Sequence, residues 1–78
     1  MNREPNDAQR FLEAEHDWLM QTAQQASIRE GLRGYGEDIA HEVYNKVQGV
    51  SDDKWAGVQN NKAYVATIIN NLAKDLRV

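Results

Sequence analysis

Residues 37–48 read EDIAHEVYNKVQ, and the spacing inside this stretch decides the fold class. At roughly 100° per residue around a helix axis, Ile39, Ala40, Val43 and Val47 fall on one side while Asp38, His41, Asn45 and Gln48 fall on the other. The apolar seam belongs against a core. The polar seam carries amides, which neither bury cheaply nor repel partners, so it reads as a docking face or as a solvated one. Gly36 offers the turn before the helix and Gly49 a left-handed stop after it. The expected helix therefore runs over residues 37–48.

Working back toward the N-terminus, residues 1–5 are polar and expected to fray. Asn6 followed by Gln9 has the form of a capping box, after which Phe11, Leu12, Trp18, Leu19 and Ala23 recur at helical spacing. This predicts a first helix over residues 7–25. Ser27 and Glu30 form a second capping pair, predicting a short helical turn whose Ile28 and Leu32 close the bottom of the core, ended by Gly34-Tyr35-Gly36.

Working forward, residues 50–59 hold Ser51, Asp52, Asp53 and Gly57 around one large aromatic, Trp55, which suits a structured loop or a single helical turn. Asn60 or Asn61 caps a last helix whose apolar face is Val65, Ile68, Ile69, Leu72 and Leu76. Its opposite face reads Thr67, Asn70, Lys74 and Arg77. The sum is an all-α fold: a compact bundle of three main helices, a short extra helical turn, and a functional loop before the last helix. Trp18, Leu19, Ile39, Val43, Val65, Ile69 and Leu72 are its expected core.

The chain has 78 residues, which makes one domain over residues 1–78 and leaves little room for an enzyme-sized cleft. Hydrophobic residues are 41% and charged ones 27%, a globular composition with a thin core. The absence of cysteine excludes disulfides and thiolate metal sites and suits a cytoplasmic location. No apolar run approaches the roughly 18 residues of a membrane span, and no secretory signal opens the chain, so no membrane insertion is expected. The net charge of −3 argues at first against nucleic acid. Yet the acids crowd the first two-thirds, whereas Lys54, Lys62, Lys74 and Arg77 lie in the last third.

Catalysis finds no support in the pattern. His16 and His41 are the only histidines, neither is spaced with a nucleophile and a carboxylate in a hydrolase pattern, and there is no phosphate-binding glycine loop. Glu13, His16 and Asp17 share a helix without a second histidine at i+4, the pattern of a wet face rather than a metal site. No catalytic residue, metal or cofactor is expected. The last helix is richer: Asn61, Lys62, Tyr64, Thr67, Asn70, Asn71 and Lys74 mix amides, cations and one aromatic. Amides and hydroxyls read base edges, cations hold phosphates, and aromatics stack on unpaired bases. Trp55 is two-faced, either plugging a small core from above or stacking on a base.

In order, these segments resemble region 2 of bacterial RNA polymerase sigma factors, in particular the small extracytoplasmic-function group. Asp38 to Val47, DIAHEVYNKV, is similar to that family's run of Asp, two apolar residues, Gln, an acid, a small or branched residue, an aromatic and a later basic residue. AYVATIINNLAKDLR, residues 63–77, is similar to the family's last-helix signature through Tyr64, Ile68, Asn71 and Asp75. The EHDWLMQTA segment resembles the first helix of the ferric-siderophore subgroup. His41 stands where the family usually has Gln, and Asn70 where a basic residue is common. The chain also stops at Val78 without the second domain that reads the minus-thirty-five element, as an excised region 2 or a truncated relative would.

The resemblance implies a domain with two working faces. Asp38, His41, Glu42 and Asn45 would dock on the clamp helices of the largest subunit of core RNA polymerase. The loop and last helix would recognise the minus-ten promoter element and hold its non-template strand, with Trp55, Asn60, Asn61, Lys62, Tyr64, Thr67, Asn70 and Lys74 facing DNA. An anti-sigma factor is the further partner implied. The alternative is a sigma-like decoy that binds such an anti-sigma partner and never touches DNA.

Overall fold

The computed structural model describes residues 6–76, so the expected fraying of residues 1–5 and the placement of Arg77 lie outside the described residues. The chain is an all-α bundle, with five helices among the described residues: α1 (Asp7–Ala14), α2 (His16–Arg29), α3 (Gly36–Val47), α4 (Asp52–Ala56) and α5 (Asn61–Leu76). The three longest, α2, α3 and α5, pack against one another. Helices α1 and α4 close one end of that trio.

Why α1 begins where it does is written in Asn6. Its side chain accepts from the Gln9 backbone N–H at 2.8 Å and the Gln9 side chain accepts from the Asn6 N–H at 3.1 Å, the reciprocal box that the sequence predicts. The same Asn6 side chain also donates to the carbonyls of Val47 and Val50, at 2.9 Å each. Val47 is the last residue of α3 and Val50 lies just beyond it; the Val47 carbonyl also accepts from the Val50 N–H at 3.1 Å, so Asn6 reinforces the turn that ends the helix. One residue therefore starts α1 and finishes α3. Asp52, at the start of α4, adds a bond from the Asp7 N–H at 2.9 Å.

The single first helix expected over residues 7–25 is two helices. A break falls at Glu15, with φ −109° and ψ 32°, although its N–H still reaches the Phe11 carbonyl. Neither proline nor glycine stands there, and the buried positions Ala8, Leu12, Leu19, Ala23 and Ala26 keep one apolar phase through it. The break turns α1 toward α3 and α4 while α2 runs on along α3 and α5. The expected cap at Ser27 does not form either. Ser27 is buried inside α2, which continues to Arg29, and Ile28 is 56% exposed rather than closing the core. A Ser that follows an unbroken apolar phase extends a helix as readily as it caps one.

The turn from α2 to α3 uses Gly31 and Gly34, both at positive φ (76° and 92°), a backbone region that costs glycine nothing. Gly36 acts differently from the expected turn residue: it is the first residue of α3 and is buried against α2. A Cβ there would stand 2.6 Å from Gln24 Cγ and 3.1 Å from Gln24 Cα, so glycine lets the two helices close up. Gly49 is not left-handed.

The core unites Leu12, Leu19, Ile39, Val43, Val47, Val50, Trp55, Val65, Ile69 and Leu72 with five alanines. Of the expected core residues, Trp18 is half-buried at its edge and the other six are inside. Ile68 of the expected α5 face is half-buried, and Leu76 lies past the end of the core with 41% of its surface exposed. No buried side-chain polar atom among the described residues lacks a hydrogen bond. No helix of the described residues is long and apolar enough to cross a membrane.

Candidate docking and nucleic-acid faces

Because Ile39, Ala40, Val43 and Val47 turn α3 inward, the residues between them must turn out. Asp38, His41, Glu42 and Asn45 are all exposed, one turn after another along the helix. Within this ridge the Asn45 amide donates to the Glu42 carboxylate at 3.3 Å. On one flank an open groove of about 650 Å³ separates the start of α3 from the end of α5, floored by Ile39, Leu72 and Leu76 and rimmed by Glu37, Asp38, Glu42 and Asp75. On the other flank a groove of about 480 Å³ toward α2 brings His16, Met20, His41 and Tyr44 to its walls. The ridge is thus acidic, with apolar ground on both sides. Burial and the Glu13 carboxylate push the Tyr44 hydroxyl above its ordinary value.

Asn60 caps α5, accepting from the Ala63 N–H at 3.0 Å, which settles the cap between Asn60 and Asn61. Along α5, burial of Val65, Ile69, Leu72 and Ala73 leaves Thr67, Asn71 and Lys74 exposed and Asn61, Tyr64 and Asn70 half-buried. Thr67 spends its hydroxyl proton on the Ala63 carbonyl at 3.0 Å. Asn71 and Asp75 are both exposed.

Two members of the expected DNA-facing set lie elsewhere. Lys62, although exposed, projects roughly 120 to 140° around the axis from Thr67 and Lys74, on the side of α5 that meets Glu15 and Trp18. There its ammonium lies 3.7 Å from a Glu15 carboxylate oxygen and 5.4 Å from the centre of the Trp18 ring. Trp55 is the plug: it keeps 7% of its surface and packs its ring 5.4 Å from Phe11 and 5.8 Å from Tyr64. With Phe11 also 6.4 Å from Trp18, four aromatic rings run across the end of the bundle. No face of Trp55 is open for a base to stack upon. The expected functional loop is mostly the capped turn α4, in which Ser51 accepts from the Lys54 N–H at 3.1 Å, followed by residues 57–60.

Sequence reasoning missed one cation on the α5 side. Arg29, in the last turn of α2, donates from Nη2 to Asn70 Oδ1 at 3.3 Å across 41 positions of sequence. Nothing local to residues 27–33 announces that contact, because it depends on how α2 and α5 are packed. Among the described residues no group of three histidine, cysteine or carboxylate side chains could hold a metal ion. No family model, curated protein or solved structure matches the chain.

Proposed function

We propose that this chain is a sigma-factor region 2-like domain that docks on core RNA polymerase through α3 and holds the non-template strand of a minus-ten element along α5. The observation that carries this reading is the pair of polar faces on the two helices whose sequences resemble that family. Asp38, His41, Glu42 and Asn45 form an exposed ridge on α3; Thr67, Asn70, Asn71 and Lys74 form a polar stripe on α5. A ridge rich in carboxylates suits a basic partner helix, since complementary potentials steer and orient association. A stripe of amides with a cation suits a strand whose phosphates are held and whose bases are read.

The decoy reading draws on Lys62, which is engaged with Glu15 and Trp18, and on Asp52 and Asp53 beside Lys54 in α4. Such a protein would bind a partner through the same ridge and leave DNA alone.

The test is co-purification of core RNA polymerase with the tagged chain. The parent is expected to retain the polymerase, and Asp38→Lys combined with Glu42→Lys to lose it, with the helical circular dichroism spectrum unchanged. Exposed charge changes of this kind move stability by about 0.5 kcal/mol or less, so a loss of binding reports the surface. Equal retention by parent and variant would remove the docking role from this face.

A further inference from the structure

The contact between Arg29 and Asn70 decides more than helix packing. Arginine has no acceptor atom, so only the carbonyl oxygen of the Asn70 side chain can face it, and the Nδ2 amine is turned away. Asn70 is half-buried and Arg29 exposed, which leaves that amine at the edge of the α5 stripe between Thr67 and Lys74, one turn from each. The bond to Asn70 engages one end of the guanidinium fork. Arg29 is exposed and its guanidinium carries further donors, in the planar arrangement that matches a phosphate.

Resting on the nucleic-acid reading of α5, we propose that Arg29 is a positioning residue of the strand-binding face. It fixes the Asn70 side chain so that a hydrogen-bond donor is presented to the strand, and it adds a phosphate contact from α2. A fixed Asn70 donor meets a base acceptor through one bond. The two-bond pairing of an asparagine amide with an adenine edge requires the carbonyl oxygen as well, and that oxygen is taken by Arg29. The strand is therefore held across α2 and α5 together, with Lys74 and Arg29 supplying charge on either side of Asn70.

The experiment is a titration of the ¹⁵N-labelled full chain with single-stranded dT, dA and dC oligonucleotides at several salt concentrations, following the Asn70 side-chain amide and the Arg29 Nε–H signals. Both signals are expected to shift together in the parent. Arg29→Ala should weaken binding roughly fivefold for every oligonucleotide and lower the salt slope by about 0.7, the share of one phosphate contact on a single strand. Arg29→Lys should restore the slope, since the charge returns, but not the parent's ranking of the three bases. Asn70→Ala should lose that ranking alone, and the double variant with Arg29→Ala should rank bases no worse than Asn70→Ala does. Melting temperatures, read in parallel, are expected to stay close to the parent's. Parent binding that Arg29→Ala leaves unaltered overturns this assignment while the nucleic-acid reading stands. A parent that binds none of the oligonucleotides at the lowest salt overturns both.

Discussion

Trp55 touches rings from two other helices, Phe11 of α1 and Tyr64 of α5, from a helix of only five residues. So short a helix has no stability of its own; its position is set by the indole it carries. Removing a buried aromatic side chain costs about 3 to 5 kcal/mol, against about 4 to 12 kcal/mol for a domain of this size. Trp55→Ala is therefore expected to lower the urea midpoint sharply or to leave the chain unfolded, as circular dichroism would show. A folded Trp55→Ala with parent stability would return the indole to the list of surface residues. Tyr44 makes a second prediction at this scale. Its hydroxyl is raised from the ordinary value by burial first and by Glu13 second, so the folded state holds its proton where the unfolded chain has begun to lose it. The stabilisation is complete below about pH 10 and is lost as pH rises through the folded value. Tyr44→Phe should flatten that alkaline loss in melts taken above pH 10; an unchanged slope would place the loss in other groups.

At the scale of elements, the caps are the most informative residues. Asn6 accepts at the start of α1 and donates to two carbonyls at the end of α3, whereas Asn60 only caps α5. Asn60→Ala should cost about 0.5 to 2 kcal/mol. Asn6→Ala should cost about 2 to 4 kcal/mol, because besides the cap it removes the donor to the Val50 carbonyl and one of the two donors to the Val47 carbonyl. Asn6→Asp separates the two jobs, since a carboxylate accepts but cannot donate. It should lose nearly as much as Asn6→Ala in urea denaturation, and a loss no greater than that of Asn60→Ala would reduce Asn6 to a simple cap. The capping box and the apolar phases were legible in the sequence because both are local, at spacings of three and four. The donation to Val47 and Val50 was not legible, since it joins positions more than forty apart. Nor was the break at Glu15: the apolar phase runs through it unbroken, and no residue there forbids a helix. Ser27 misled for the opposite reason, as a local capping signal overruled by burial on the α2 face.

Across the whole molecule, the acidic ridge lies on α3 and the amide and cation stripe on α5, and this division between two helices is what reconciles a net charge of −3 with a strand-binding proposal. The sequence placed Asp38, His41, Glu42 and Asn45 together because one helix carries them. It could not show that Lys62 meets Glu15 and Trp18, or that Arg29 of α2 approaches Asn70, because these depend on helix packing. Screening confines each charge to its own neighbourhood, about 8 Å at physiological ionic strength, so the two faces should fail independently. Lys74→Ala with Arg29→Ala should weaken single-strand binding and leave co-purification of the polymerase intact. Asp38→Lys with Glu42→Lys should do the reverse, or even strengthen strand binding slightly at low salt as the net charge moves from −3 to +1, four units. Lys62→Ala should act on neither partner strongly, since its ammonium already faces Glu15. Measured side by side at two salt concentrations, a set of variants in which both bindings fall together with unchanged folding would mean one shared surface rather than two.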